Sequence, residues 1–96
     1  MNGWRQEARR AIREYPEMVR RNDKNGKGVR AVDLAIETTK RYPDSEERLR
    51  LVELCFWQRT HTISGAALLI GVSEGTAKAW SSAFVELVDA YLRVLP

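Results

Sequence analysis

Apolar residues return at helical spacing through most of this chain, and the spacing divides it into five segments. In the first, Trp4, Ala8, Ala11, Ile12 and Tyr15 fall three or four residues apart, with arginines between them, which predicts an amphipathic helix with a basic face. Pro16 biases Tyr15 away from helical geometry, so a kink or a restart is expected there. "RRNDKNGKG" (20–28) contains no apolar residue and two glycines, the composition of a flexible connector. Val32, Ala35, Ile36 and Thr39 then outline a short helix that must stop near Tyr42 and Pro43.

The next helix is read from "PDSEERLRLVELCFW". Asp44 is placed to cap its first amides, Glu47 to reach back to the Asp44 amide, and Leu49, Val52 and Phe56, widened by Leu51 and Cys55, form its core face. "RTHTISG" interrupts the period, and Thr62 or Ser64 can cap a short helix over roughly Ile63 to Ile70. In the last segment Ala77, Trp80, Phe84, Leu87, Val88, Tyr91 and Leu95 recur from about Glu74 to the end. At 1.5 Å per residue that stripe spans about 30 Å. Such a length suggests that part of it meets a second chain, as in a homo-oligomer through the C-terminal helix. No internal repeat is present. The pattern predicts an all-α fold, small and helical, with a long last helix. Residues 1–28 form a basic amphipathic helix and linker, and residues 29–96 a helical domain.

Composition narrows the functional classes. The 96 residues carry a formal net charge of +3, suggestive of nucleic acid but weak alone. The distribution is more telling: residues 1–30 hold nine basic side chains against four acidic, while 31–60 hold five against six and 61–96 two against three. The single Cys55 and single His61 exclude an internal disulfide and a zinc site, so no cofactor is expected and the setting is a reducing one, the cytoplasm. The longest apolar run, Ala66 to Val72, is too short to span a bilayer, and "MNGWRQEARR" lacks the apolar centre of a signal peptide. Neither membrane insertion nor export is expected. Since no nucleophile, base and oxyanion donor can be assembled, the chain does not read as an enzyme.

The stretch from Ala66 to Ser82 meets the requirements of a helix-turn-helix. Ala67 is small where two helices touch, Gly71 stands where the backbone needs positive φ, and Ala66, Ile70, Val72, Ala77 and Trp80 are apolar at the inward positions. Ser73 fits as the cap of the second helix. The outward positions are Glu74, Gly75, Lys78, Ala79 and Ser82, with Ser73 and Thr76 at the helix start, where base edges or a phosphate would lie. Ser73, Thr76, Lys78 and Ser82 are therefore candidate DNA-binding residues, and Arg9, Arg10, Arg13, Arg20 and Arg21 candidate phosphate contacts. The arginine face has a simpler reading as a solvated face paired with Glu7, Glu14 and Glu17. Trp57 and Trp80 sit in apolar stripes and read as core residues rather than base-stacking platforms, whereas Trp4 either docks the first helix or lies free. Cys55 reads as a small buried hydrophobe and His61 as a surface residue. "NDKNGKG" lacks the Gly-Lys-Ser/Thr ending and the preceding strand of a phosphate loop.

The stretch from Arg48 to Leu92, with "VELCFW", "GVSEGTAKAW" and "FVELVDAYL" as its markers, resembles the C-terminal half of the RinA-type and ArpU-type phage transcriptional regulators. Their last domain is similar to the promoter-reading domain of sigma factors. The likeness extends forward to "REYPEMVRR" and to the helix leading into "YP". It implies a helical DNA-binding protein that regulates late genes of a phage or prophage in the bacterial cytoplasm, with double-stranded DNA and host RNA polymerase as partners. Members of that family are commonly basic around the serine and tryptophan of the reading helix, where this chain has Glu74, Gly75, Ala79 and Ser81. An arginine reading guanine is therefore missing from that helix. The competing expectation is a protein-interaction module, such as a phage assembly or packaging component, with weak or no DNA binding.

Overall fold

The computed structural model describes residues 3–96, and of Gly3 and Trp4 the backbone alone, so the alternatives for the Trp4 ring lie outside the described residues. Five α-helices follow in order: α1 (Gly3–Arg20), α2 (Lys27–Thr39), α3 (Ser45–Val52), α4 (Ile63–Ile70) and α5 (Glu74–Val94), with a π-helical segment, Glu53–Trp57, extending α3. The fold is all-α, and the described residues contain no strand.

The long helix α5 is the spine, touched by each of the other four helices. Its stripe packs on its own chain, with Ala77, Phe84 and Val88 buried and Trp80, Leu87, Tyr91 and Leu95 half-buried. Phe84, Val85, Val88 and Leu92 pack with Ala8 and Ile12 of α1, with Ala31, Val32 and Ala35 of α2, and with Val52. Nearer its start, Ala77 joins Leu51, Leu54, Ala66 and Ala67 in a second cluster, flanked by Ile63, Ile70, Val72 and Trp80. The buried part of the stripe is thus used within the molecule. The first helix belongs to the same packing: Ala8 and Ile12 are fully buried.

Helix α1 does not break at Pro16; it runs through it to Arg20. Proline has no N–H to give the carbonyl four residues back, which is that of Ile12. The indole Nε1 of Trp57 donates to that carbonyl instead, at 2.9 Å, and the Trp57 ring stacks on Tyr15 with centroids 5.6 Å apart. The π-helical segment accompanies this arrangement. One extra residue enters the turn, Gln58 N–H reaches the Glu53 carbonyl at 2.7 Å, and the chain closes with Arg59 at φ +54.

The connector is shorter than its composition suggests. Asn22, at φ 60, ends α1 in a left-handed cap: Asn22 N–H bonds to the Val19 carbonyl and Asp23 N–H to that of Met18. Lys27 and Gly28 already belong to α2. The cap expected at Asp44 is also different. With φ −98 and ψ 28 its backbone is not extended, so its carboxylate makes no cap hydrogen bond. It accepts instead from Arg48 Nε at 2.7 Å, and the Arg48 guanidinium lies 4.3 Å from the Tyr42 ring centre and 5.5 Å from that of Trp80.

Candidate nucleic-acid interface

Helices α4 and α5 are joined by Gly71, Val72 and Ser73, and local chemistry fixes both ends of that turn. Thr62 Oγ1 accepts from Gly65 N–H at 3.1 Å, starting α4. Gly71, at φ 91, ends it; its own N–H and that of Val72 both reach the Ala67 carbonyl, at 2.8 and 3.0 Å. Val72 then packs against the cluster that contains Ala67. Ser73 Oγ accepts from Thr76 N–H at 3.1 Å and donates to Thr76 Oγ1 at 2.9 Å, starting α5.

The inward and outward faces of α5 separate as the spacing predicts. Ala77 is buried and Trp80 half-buried, whereas Ser73, Glu74, Gly75, Lys78, Ala79 and Ser82 are exposed and Thr76 is half-buried. The charge on this edge is internally paired. Lys78 Nζ lies 3.1 Å from Glu74 Oε2, and Ser64 Oγ donates to Glu74 Oε1 at 2.7 Å. These two partners hold the Glu74 carboxyl below its usual range, Ser64 first and Lys78 second. The first turn of α5 therefore carries a fixed negative charge, balanced by the lysine one turn on. A carboxylate there occupies the position that a phosphate would otherwise favour.

The candidate arginines of α1 do not form one patch. Arg5, 3.8 Å from Glu86 in the second half of α5, marks one flank of α1. Arg9 and Arg13, four and eight residues on, share that flank; both are exposed and, among the described residues, neither is in an ion pair. Arg10, also exposed, lies on the other flank, beside Glu7, Glu14 and Lys27. Arg20 and Arg21 both pair with Glu17, the second through Nε at 3.1 Å. Arg48 is a cation the sequence reading passed over. It packs against the Trp80 ring of α5, and the signal for it was the Asp44 four residues earlier together with Tyr42.

Trp57 and Trp80 both pack on the core clusters, as their stripes imply. Cys55 is half-buried, and burial pushes its thiol above the usual value. His61 is half-buried, with Nδ1 2.9 Å from Thr60 Oγ1. Among the described residues no cluster of His, Cys, Asp and Glu could hold a metal ion, and no helix is long and apolar enough to cross a membrane. No family model, curated protein or solved structure matches this chain.

Proposed function

We propose that this chain is a DNA-binding transcriptional regulator of the phage or prophage type, with α4 and α5 acting as a helix-turn-helix and α5 as the reading helix. One observation carries the reading: the three-residue turn with left-handed Gly71 buries Ala67 and Ala77 against each other's helices and leaves a continuous exposed edge from Ser73 to Ser82. Among the described residues nothing covers the hydroxyl of Ser82 or the bare surface of Gly75 and Ala79, so this edge is open to a duplex. The resemblance to RinA-type and ArpU-type regulators points the same way and brings with it host RNA polymerase as a partner and the bacterial cytoplasm as the setting.

With Lys78 balanced by Glu74, the reading edge contributes little net attraction, and backbone affinity comes from the flank of Arg9 and Arg13. The test is a salt titration of binding to random-sequence and phage-late-promoter duplexes. Each phosphate neutralised contributes about −0.9 to the log–log slope, so Arg9→Ala together with Arg13→Ala flattens the slope by about 1.8 if both arginines touch phosphates. No binding to either duplex at low salt sinks this reading. The second reading, a protein-interaction or phage-assembly module, is favoured by the carboxylate of Glu74 at the start of α5.

A further inference from the structure

An open groove of about 760 Å³ runs between the last turn of α4 and the outer side of α3 and its π-helical extension. Leu49, Trp57, Leu69 and Ile70 give it an apolar lining, and Glu46, Glu47 and Glu53, with Arg50 among them, give it a charged rim. Leu69 is 53 % exposed although it belongs to a helix whose other side is packed. Glu46 and Glu47 are exposed and, among the described residues, in no ion pair; Glu53 accepts a hydrogen bond from Gln58 Nε2 at 3.1 Å. A position in the first turn of α3 accounts for Glu46 and Glu47 through the helix dipole. It does not account for their sharing a rim with Glu53 around an uncovered leucine.

The chemistry of the groove selects its occupant. Three carboxylates against one guanidinium repel a phosphate backbone, so this side does not take nucleic acid. A second copy of this chain is a poor fit too: its basic helix α1 has Ala8 and Ile12 wholly buried in its own core and, among the described residues, exposes one large apolar side chain, Val19, beside Arg20 and Arg21 that already pair with Glu17. From Glu46 to Glu53 the rim extends about 10 Å along α3, room for roughly two turns of a helix. We propose that the groove docks a basic amphipathic helix of a partner protein, with apolar residues at i and i+4 seated on Leu49, Trp57 and Leu69 and flanking lysines or arginines facing Glu46, Glu47 and Glu53. This proposal is independent of the DNA-binding reading.

The probe is a synthetic helix-forming peptide with leucines at i and i+4 and lysines on either side, titrated into the ¹⁵N-labelled full chain. The expected result is amide shifts centred on Glu46 to Leu49, Trp57 and Leu69, weakening with salt. Affinity should fall tenfold or more for the paired Glu46→Gln and Glu47→Gln variant and for Leu69→Ser. The carboxylates are exposed and outside the core, so the first variant keeps the fold even if Leu69→Ser disturbs α4. Equal binding of a peptide with its lysines replaced by glutamates overturns the proposal, as do shifts confined to other surfaces. Shifts at these residues that grow with protein concentration alone, without peptide, overturn it in favour of a second copy.

Discussion

Removing the Trp57 indole N–H should cost stability only while Pro16 is present. In the native chain the Ile12 carbonyl lacks its helical donor because residue 16 is proline, and Trp57 Nε1 supplies the missing hydrogen bond at 2.9 Å. The site is part-buried, so an acceptor left without a partner costs about 1–2 kcal/mol, toward the low end of the range for buried groups. Trp57→Phe loses that bond and also some ring area against Tyr15 and the core. Pro16→Ala restores a main-chain N–H aimed at the Ile12 carbonyl and, by removing a proline from a helix interior, stabilises α1 by up to about 3 kcal/mol. Combined with Pro16→Ala, Trp57→Phe loses the ring area alone. The double-mutant cycle isolates the difference, an expected coupling of about 1–2 kcal/mol. Urea denaturation followed by far-UV circular dichroism reads it as a midpoint shift smaller by about 1–2 M when the proline has been replaced, for a slope of about 1 kcal/mol/M. A coupling within about 0.5 kcal/mol of zero, the usual scatter of additivity, refutes the compensation.

The other predictions concern the turn, the first helix and two titrating groups. Gly71→Ala meets no atom within 4 Å, so its cost is the backbone strain of φ 91 alone, about 1–2 kcal/mol, whereas Gly75→Ala, equally open but helical, should stabilise by up to about 1 kcal/mol; urea midpoints moving in the same direction would contradict this contrast. A chain starting at Val29 loses Ala8, Ile12 and the Tyr15 stack and should show a broadened, non-cooperative thermal transition; an unchanged melting curve would show that α1 adds nothing to the core. The Tyr15 hydroxyl, pushed up to about 12 by burial and by its hydrogen bond to Asp33, is neutral in the fold when a free tyrosine has ionised. Its contribution is complete below about pH 10 and is lost as pH rises toward 12, and Tyr15→Phe should flatten that decline in stability. Glu74, held below its usual range by Ser64 and Lys78, contributes above the ordinary carboxylate pKa, and its contribution disappears as pH falls through its lowered value; Ser64→Ala should move that titration, read by side-chain carboxyl NMR, back upward.

Helix periodicity places all five helices, and α4 and α5 close to their observed bounds, because their inward residues are locally spaced. Ile63 to Ile70 and the start at Glu74 match the structure because Thr62, Gly71 and Ser73 encode their own caps. Pro16 and Asp44 depart from expectation for different reasons: Pro16 is accommodated by a partner far along the chain, and Asp44 has a backbone angle that leaves it no cap. Trp57 lies 45 residues from Ile12, and nothing local announces that its N–H will stand in for the one proline lacks. The π-helical turn has no period of its own in the sequence. The inward and outward division of α5 was legible residue by residue. The pairing of Lys78 with Glu74 was available from their i, i+4 spacing, but the hydrogen bond from Ser64, ten residues earlier, required the turn. The split of the arginines into two flanks follows from helical spacing once Ala8 and Ile12 fix the buried side.

The measurement that bears most directly on the DNA-binding account is amide shift mapping of the ¹⁵N-labelled full chain with a duplex at low salt. The account predicts shifts at residues 73–82 and at Arg9 and Arg13, fading together as salt rises, with the groove beside Leu69 unmoved. No shifts at any duplex concentration, or shifts on the Glu46 and Leu69 side with the α5 edge silent, would contradict it.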